Sequence, residues 1–147
     1  MTIANVTKAD LPELSILFKE FIGVFSNLEK MSLSLDLMMQ NQNYVVLGAT
    51  INNEFVASAM GIICFDLVGE CQPFMVIENV VVAKKFRGQG IGKELVRALE
   101  QKALAENCHY IMLVSSSSRE GAHSFYRSLG YDVDVKGFKK IISNPNC

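Results

Sequence analysis

Residues 76–92 read Val76-Ile77-Glu78-Asn79-Val80-Val81-Val82-Ala83-Lys84-Lys85-Phe86-Arg87-Gly88-Gln89-Gly90-Ile91-Gly92. The stretch opens apolar and β-branched, the composition of a strand buried on both faces. Two lysines and an arginine follow, and then three glycines at alternate positions. The next segment, Lys93 to Glu100, continues a helical pattern that puts Ile91, Leu95, Leu99 and Ala103 on one face. The expected order is therefore strand, tight glycine turn, helix. Amides at such a helix start lack internal partners and sit at the positive end of the helix dipole. They suit a phosphate or pyrophosphate.

Three phosphate-binding patterns compete with an ordinary glycine-rich turn. A P-loop needs Lys-Ser/Thr after its last glycine, and here Gly92-Lys93 is followed by Glu94. A dinucleotide fold needs Gly-x-Gly-x-x-Gly, whereas Gly88, Gly90 and Gly92 alternate strictly. The third pattern, Arg-x-x-Gly-x-Gly, is met by Arg87, Gly90 and Gly92. It resembles the acyl-CoA pyrophosphate loop of the GNAT superfamily of N-acyltransferases. A second hallmark of that superfamily, Ala-x-x-x-Tyr-x-x-x-Gly-Phe/Tyr, is resembled by Ala122-His123-Ser124-Phe125-Tyr126-Arg127-Ser128-Leu129-Gly130-Tyr131. The two signatures stand in the superfamily's order, and the resemblance spans residues 76–131.

The resemblance implies an α/β (α+β) chain with the GNAT fold. That fold has a mixed, mostly antiparallel sheet, helices on both faces, and fourth and fifth strands that splay apart around the pantetheine arm. By position those strands fall at residues 76–83 and 109–114. The resemblance further implies acetyl-CoA as co-substrate, without metal. Main-chain groups of Val80, Val81 and Val82 are implied to pair with pantetheine as an added strand would. Amides of Arg87, Gly88, Gln89, Gly90, Ile91, Gly92 and Lys93 are implied to hold the pyrophosphate. Tyr126 is implied as the acid for the CoA thiolate, against a packed aromatic with a satisfied hydroxyl. Many members carry Asn seven residues before that tyrosine, where this chain has Arg119; the asparagine's role is not carried over. The strand at residues 77–82 also resembles that of glucosamine-6-phosphate acetyltransferases.

Acetyl transfer from a thioester to an amine requires removal of the amine proton, a held carbonyl, a stabilised oxyanion and a protonated thiolate. Glu78 is the candidate base, through water, as a carboxylate inside an apolar strand where burial raises a pKa; the bland alternative is a solvated or salt-bridged residue. His109 and His123 are the two histidines, and His123 reads as a surface residue. Cys64, Cys71, Cys108 and Cys147 lie outside both signatures, so direct transfer is expected over an acyl-enzyme. They also lack Cys-x-x-Cys spacing and histidine companions, which points away from zinc.

The 147 residues suit one domain over 1–147, and half of them are apolar. A formal charge of −1 gives no electrostatic case for nucleic acid or an anionic membrane. The basic group Lys84, Lys85, Arg87 and Lys93 is explained by the anion-binding turn it flanks. No run is long enough to span a bilayer, the N-terminus lacks a signal-peptide pattern, and a cytoplasmic protein with reduced thiols is expected. The expected partners are acetyl-CoA and an amine acceptor, with a homodimer left open.

Elsewhere the pattern predicts a first strand at residues 2–7 and a helix begun by Asp10, Pro12 and Glu13. That helix carries an apolar stripe of Leu14, Leu17, Phe18, Phe21, Ile22 and Phe25. A second helix is expected at residues 28–40, with Met31, Leu35, Met38 and Met39 as core or as an adaptable pocket lining. A hairpin at 43–50 and 55–65 turns at Asn52-Asn53. The closing elements are a helix at 91–107, a strand at 109–114, a helix at 121–128, a hairpin of 131–135 and 138–142, and a frayed end at 143–147. The acceptor is a primary amine, small-molecule in the first reading, with an aminosugar among the options. A protein or peptide amine, or a non-catalytic CoA-binding module, are the alternatives.

Overall fold

The structure, a computed structural model, describes residues 1–131 and 134–142. It comprises two compact units, Met1–Leu113 and Val114–Cys147. The first contains β1 (Thr2–Asn5), α1 (Leu11–Ile22), α2 (Leu28–Met39), β2 (Tyr44–Ile51), β3 (Glu54–Cys64), β4 (Phe74–Val82), α3 (Ile91–Ala105) and β5 (Ile111–Met112); the second contains α4 (Glu120–Ser128). The five strands lie in sequence order, all antiparallel except β4 and β5, which run parallel. This is the expected mixed, mostly antiparallel sheet.

Local chemistry sets the ends of the helices. The entry to α1 is fixed one step earlier than the sequence suggests. The Asp10 carboxylate accepts from the Thr7 amide and the Thr7 hydroxyl, both at 2.7 Å, rather than pairing with Glu13. The helix stops at Ile22 because Gly23 takes a left-handed conformation, φ +88°. The expected stripe is thereby cut short: Leu14 and Leu17 are buried and Phe18 and Phe21 pack against them, but Ile22 and Phe25 are exposed. The Asn27 side chain caps α2 by accepting from the Lys30 amide at 2.9 Å. Between β2 and β3, Asn52 and Asn53 both have positive φ, as a two-residue hairpin turn requires.

Helices cover both faces of the sheet. On one side Val6, Leu11, Leu14, Leu17 and Leu35 form a buried cluster with Val81 of β4. On the other, α3 buries Ile91, Leu95, Val96, Leu99 and Ala103. Gly61 of β3 lets this helix come close: a Cβ there would stand 3.0 Å from both Leu99 and Met75. Met75 and Leu99 therefore share the α3 face.

One irregularity in β4 governs how its residues point. Between the pairs Met60↔Glu78 and Ser58↔Val81, β3 has a single residue, Ala59, while β4 has Asn79 and Val80. This is a β-bulge, and Asn79 sits in it with φ +54°. Asparagine is among the few non-glycine residues that tolerate that region. The extra residue reverses the in–out alternation: Met75 lies on the α3 face, yet Val81, an even number of residues on, lies with α1 and α2.

Two expected elements differ. The strand expected at 109–114 is only Ile111–Met112, with Ile111 half-buried and Met112 exposed rather than a buried run. The hairpin expected at 131–135 and 138–142 is absent from the described residues 134–142, which are irregular; Asp132 and Val133 lie outside the described residues, as does 143–147. Apolar residues there, such as Phe138 and Ile142, are exposed.

Gly61→Val should drive a branched side chain into Leu99 and Met75. A loss of about 1–3 kcal/mol, the usual range for overpacking, is expected in urea unfolding with an unchanged slope. A variant as stable as the parent would show that α3 does not pack as closely on the sheet as described.

Candidate active site

The parallel pairing of β4 and β5 is confined to Met75↔Ile111 and Val76↔Met112. Beyond Val76, within the first unit, β4 continues to Val82 paired only to β3. The expected parting of the fourth and fifth strands is thus present in the register, and Val80, Val81 and Val82 lie on the part of β4 that β5 does not reach. Val80 and Val82 are half-buried and Val81 is buried.

Past Val82 the chain makes a short 3₁₀ turn, Lys84–Phe86, and reaches the glycines. Gly88 and Gly90 have φ of +76° and +81°, and Gly90 is the residue that opens α3. A Cβ on either would meet nothing within 4 Å, so the backbone conformation demands glycine while the space above it stays open. The first bond of the α3 ladder runs from the Glu94 amide to the Gly90 carbonyl at 3.1 Å. The amides of Ile91, Gly92 and Lys93 precede it, at the positive end of a 15-residue helix. A pyrophosphate fits this cradle: open space, glycine backbone and unladdered amides converge.

The basic residues around the turn do more than carry charge. Arg87 Nε donates to the Val82 carbonyl at 2.9 Å, which locks the turn onto the end of β4. Lys85 is paired with Glu54. The Lys84 amide donates to a Glu20 carboxylate oxygen at 3.0 Å, tying the last turn of α1 to the same strand end. Ser15, buried on α1, donates to the Ser26 carbonyl at 3.0 Å, and Lys19 lies 4.1 Å from the centre of the Phe25 ring. The loop between α1 and α2 is therefore held to α1. Sequence reading missed these ties, because no local pattern marks a contact between residues so far apart as Glu20 and Lys84.

Glu78 is exposed. The burial on which its candidacy rested is not there; it lies on the strand beside the bulge, facing away from α3. The methionines of α2 are partly as expected: Met38 and Met39, with Leu35, Tyr44 and Lys102, line a cavity of about 900 Å³ at the β2 edge. Neither Glu78 nor the glycine turn lines it.

In the second unit, the Tyr-x-x-x-Gly-Tyr spacing has a plain geometric cause. Gly130 is left-handed, φ +90°, after the last turn of α4. The Gly130 amide donates to the Arg127 carbonyl and the Tyr131 amide to the Tyr126 carbonyl, at 3.0 and 3.1 Å. These are the two bonds of a Schellman cap, whose flanking residues commonly touch. Here the Tyr126 and Tyr131 rings meet edge to face at 5.7 Å, and Phe125 meets Tyr126 at 5.0 Å. The motif thus fixes the half-buried Tyr126 ring between two aromatics. Arg119, where many relatives carry Asn, is the residue that opens α4, and its carbonyl accepts from the Ala122 and His123 amides. His123 Nε2 lies 2.9 Å from the Ser116 carbonyl and is half-buried rather than on the surface.

The sequence model of the acetyltransferase (GNAT) family matches residues 13–131. The chain belongs to this family, which uses acetyl-CoA as co-substrate. Among solved structures, a protein from Agrobacterium tumefaciens assigned to the acetyltransferases superposes with TM-score 0.89 at 26% identity, over 96% of this chain and 99% of that one. Glucosamine-6-phosphate N-acetyltransferase from Arabidopsis thaliana shares the fold, with TM-score 0.85 at 18% identity over 97% and 98%. A curated relative, histone acetyltransferase TAP1 from Glycine max, is 34% identical over 70 residues, which is 48% of this chain and 29% of that protein. The chain thus matches under a third of that curated relative's length. Among the described residues no helix is long and apolar enough to cross a membrane, and no group of three or more His, Cys, Asp or Glu is placed to hold a metal.

Of the described cysteines, Cys71 is exposed and Cys64 and Cys108 are half-buried; Cys147 lies outside the described residues. Burial pushes the Cys108 thiol up from its ordinary value, and the negative charges of Glu106 and of ionised Cys64 add to the effect. Because the thiolate is the reactive form, Cys108 should label more slowly than Cys71 with a maleimide at neutral pH. Raising the pH should narrow the gap. Peptide-resolved mass spectrometry reads both rates, and faster labelling of Cys108 would contradict the buried environment described.

Proposed function

We propose that this chain is an N-acetyltransferase that moves an acetyl group from acetyl-CoA directly to a primary amine. The observation that carries the reading is the cradle of left-handed glycines and unladdered amides at the start of α3, set at the end of the part of β4 that β5 leaves unpaired. Amides of Gly88, Gln89, Gly90, Ile91, Gly92 and Lys93 are assigned to the pyrophosphate; the Arg87 amide, expected among them, instead donates to the Lys84 carbonyl at 3.3 Å and closes the 3₁₀ turn. Main-chain groups of Val80, Val81 and Val82 are assigned to the pantetheine arm. The bulge at Asn79 supports this, because it breaks the β3 ladder and re-aims the backbone there.

Acetyl-CoA supplies the activated acetyl group when bound. The amine nitrogen forms a bond to the acetyl carbon as the carbon–sulfur bond breaks. Glu78, through water, takes the proton that the amine gives up. Tyr126 gives its proton to the departing thiolate, an assignment that rests on its place in the motif. No cysteine carries the acetyl group in this scheme. The reading takes residues 1–147 as one cytoplasmic acetyltransferase domain, working without metal and with neither nucleic acid nor membrane as partner. The acceptor is read as a small molecule. A protein amine is the second reading, favoured by the histone acetyltransferase among the relatives. A non-catalytic module that only binds CoA is the remaining alternative, and the retained Tyr126 argues against it.

Tyr126→Phe keeps the ring and its aromatic contacts but removes the proton. Turnover should fall about 10²–10⁴-fold while CoA still binds, provided single-turnover measurements confirm that chemistry limits the rate. Glu78→Gln should lower single-turnover rates while CoA still binds. Unchanged single-turnover rates in Tyr126→Phe would remove the acid from this scheme, and unchanged rates in Glu78→Gln would remove the base.

A further inference from the structure

The sheet face that carries α1 and α2 is only partly covered by them. Val46 and Val81 pack under these helices, but neighbouring positions on the same face stay half-open. Residues directly opposite one another across strands point to the same side. One row across the sheet is Tyr44↔Ile62↔Val76↔Met112, and the next is Val46↔Met60↔Glu78. Both rows face away from α3, because Gly61, between Met60 and Ile62, faces Leu99, and its cross-strand partner Ile77, between Val76 and Glu78, is buried on that same side. Tyr44, Met60, Ile62 and Val76 are half-buried, and Met112 is 43% exposed. The floor is apolar, and Glu78 is the sole charged residue in either row.

That carboxylate stands immediately before the bulge, where the proposed donor arm would end. A cation is drawn to Glu78, while the body attached to it comes to rest on Ile62 and Val76. A sugar phosphate would bring its own negative charge toward Glu78 and lay hydroxyls on Ile62, Val76 and Met60, which cannot bond them. A polyamine would find a single carboxylate in the two rows for several cations.

We propose that this floor is the acceptor subsite and that it selects a primary amine with an apolar body, an alkyl- or arylalkylamine. The proposal rests on the acetyltransferase reading above. Its test is free-thiol release from acetyl-CoA with phenethylamine, hexylamine, glucosamine 6-phosphate and spermidine, each over a concentration series. The expected result is a kcat/KM for phenethylamine or hexylamine at least tenfold above either polar amine. Ile62→Asn and the nearly isosteric Val76→Thr should then lower kcat/KM for phenethylamine, by about 10–200-fold for the former, a range typical of one altered apolar contact. The stabilisation of both variants by CoA on heating should persist. Faster release with glucosamine 6-phosphate or spermidine overturns the apolar acceptor alone. So does an unchanged kcat/KM for phenethylamine in both variants. Release with none of the four amines, and no stabilisation by CoA, overturns the acetyltransferase reading with it.

Discussion

One extra residue in the fourth strand organises the candidate site. Without the bulge, β4 would keep a strict alternation and Val81 would share a face with Met75. With it, the first half of the strand gives Met75 to α3 and the second half gives Val81 to the α1–α2 side. The strand can thus anchor helices on both faces of the sheet while its backbone is re-aimed in between. Asn79 holds a left-handed conformation at the pivot, where a β-branched neighbour such as Val80 would be strained. The bulge lies just past the point where β5 stops pairing, so the irregular backbone and the unpaired strand coincide.

The glycine turn extends this constraint. Arg87, often read only as a positive charge for a phosphate, spends its Nε–H on the Val82 carbonyl and so joins the turn to the strand. Glu20 holds the Lys84 amide next to it. These two contacts bring the end of α1, the end of β4 and the start of α3 to one place. The guanidinium keeps its positive charge in that bond, and the backbone dipoles at the start of α3 add to it. That explains why the chain needs no overall positive charge for such a site.

Much of this was legible in the sequence, and the reasons differ by element. The turn was readable because left-handed backbone at Gly88 and Gly90 requires glycine, and because an amphipathic pattern starts at once behind it. The cap after α4 was readable for the same reason at Gly130. The bulge was hidden in an unbroken apolar run, with Asn79 its single trace. Glu78 was misread as buried because neighbouring valines make the whole strand look enclosed, and only the register shows which face is covered. The length of β5 and the irregular path of residues 134–142 depend on partner strands, which no local pattern encodes. The ties from Glu20 to Lys84 and from Ser15 to Ser26 are tertiary and equally silent in sequence.

The central claim is that the amides at the start of α3 bind the phosphates of CoA. Calorimetric titration of the protein and of Gly90→Val with CoA, and with pantetheine as the phosphate-free control, tests it most directly. The account predicts that the protein binds CoA well above pantetheine. The variant, folded by circular dichroism, should lose that difference, since valine cannot hold a φ of +81° without strain and its side chain fills the open space. Equal affinity of the unaltered protein for CoA and pantetheine would contradict the claim.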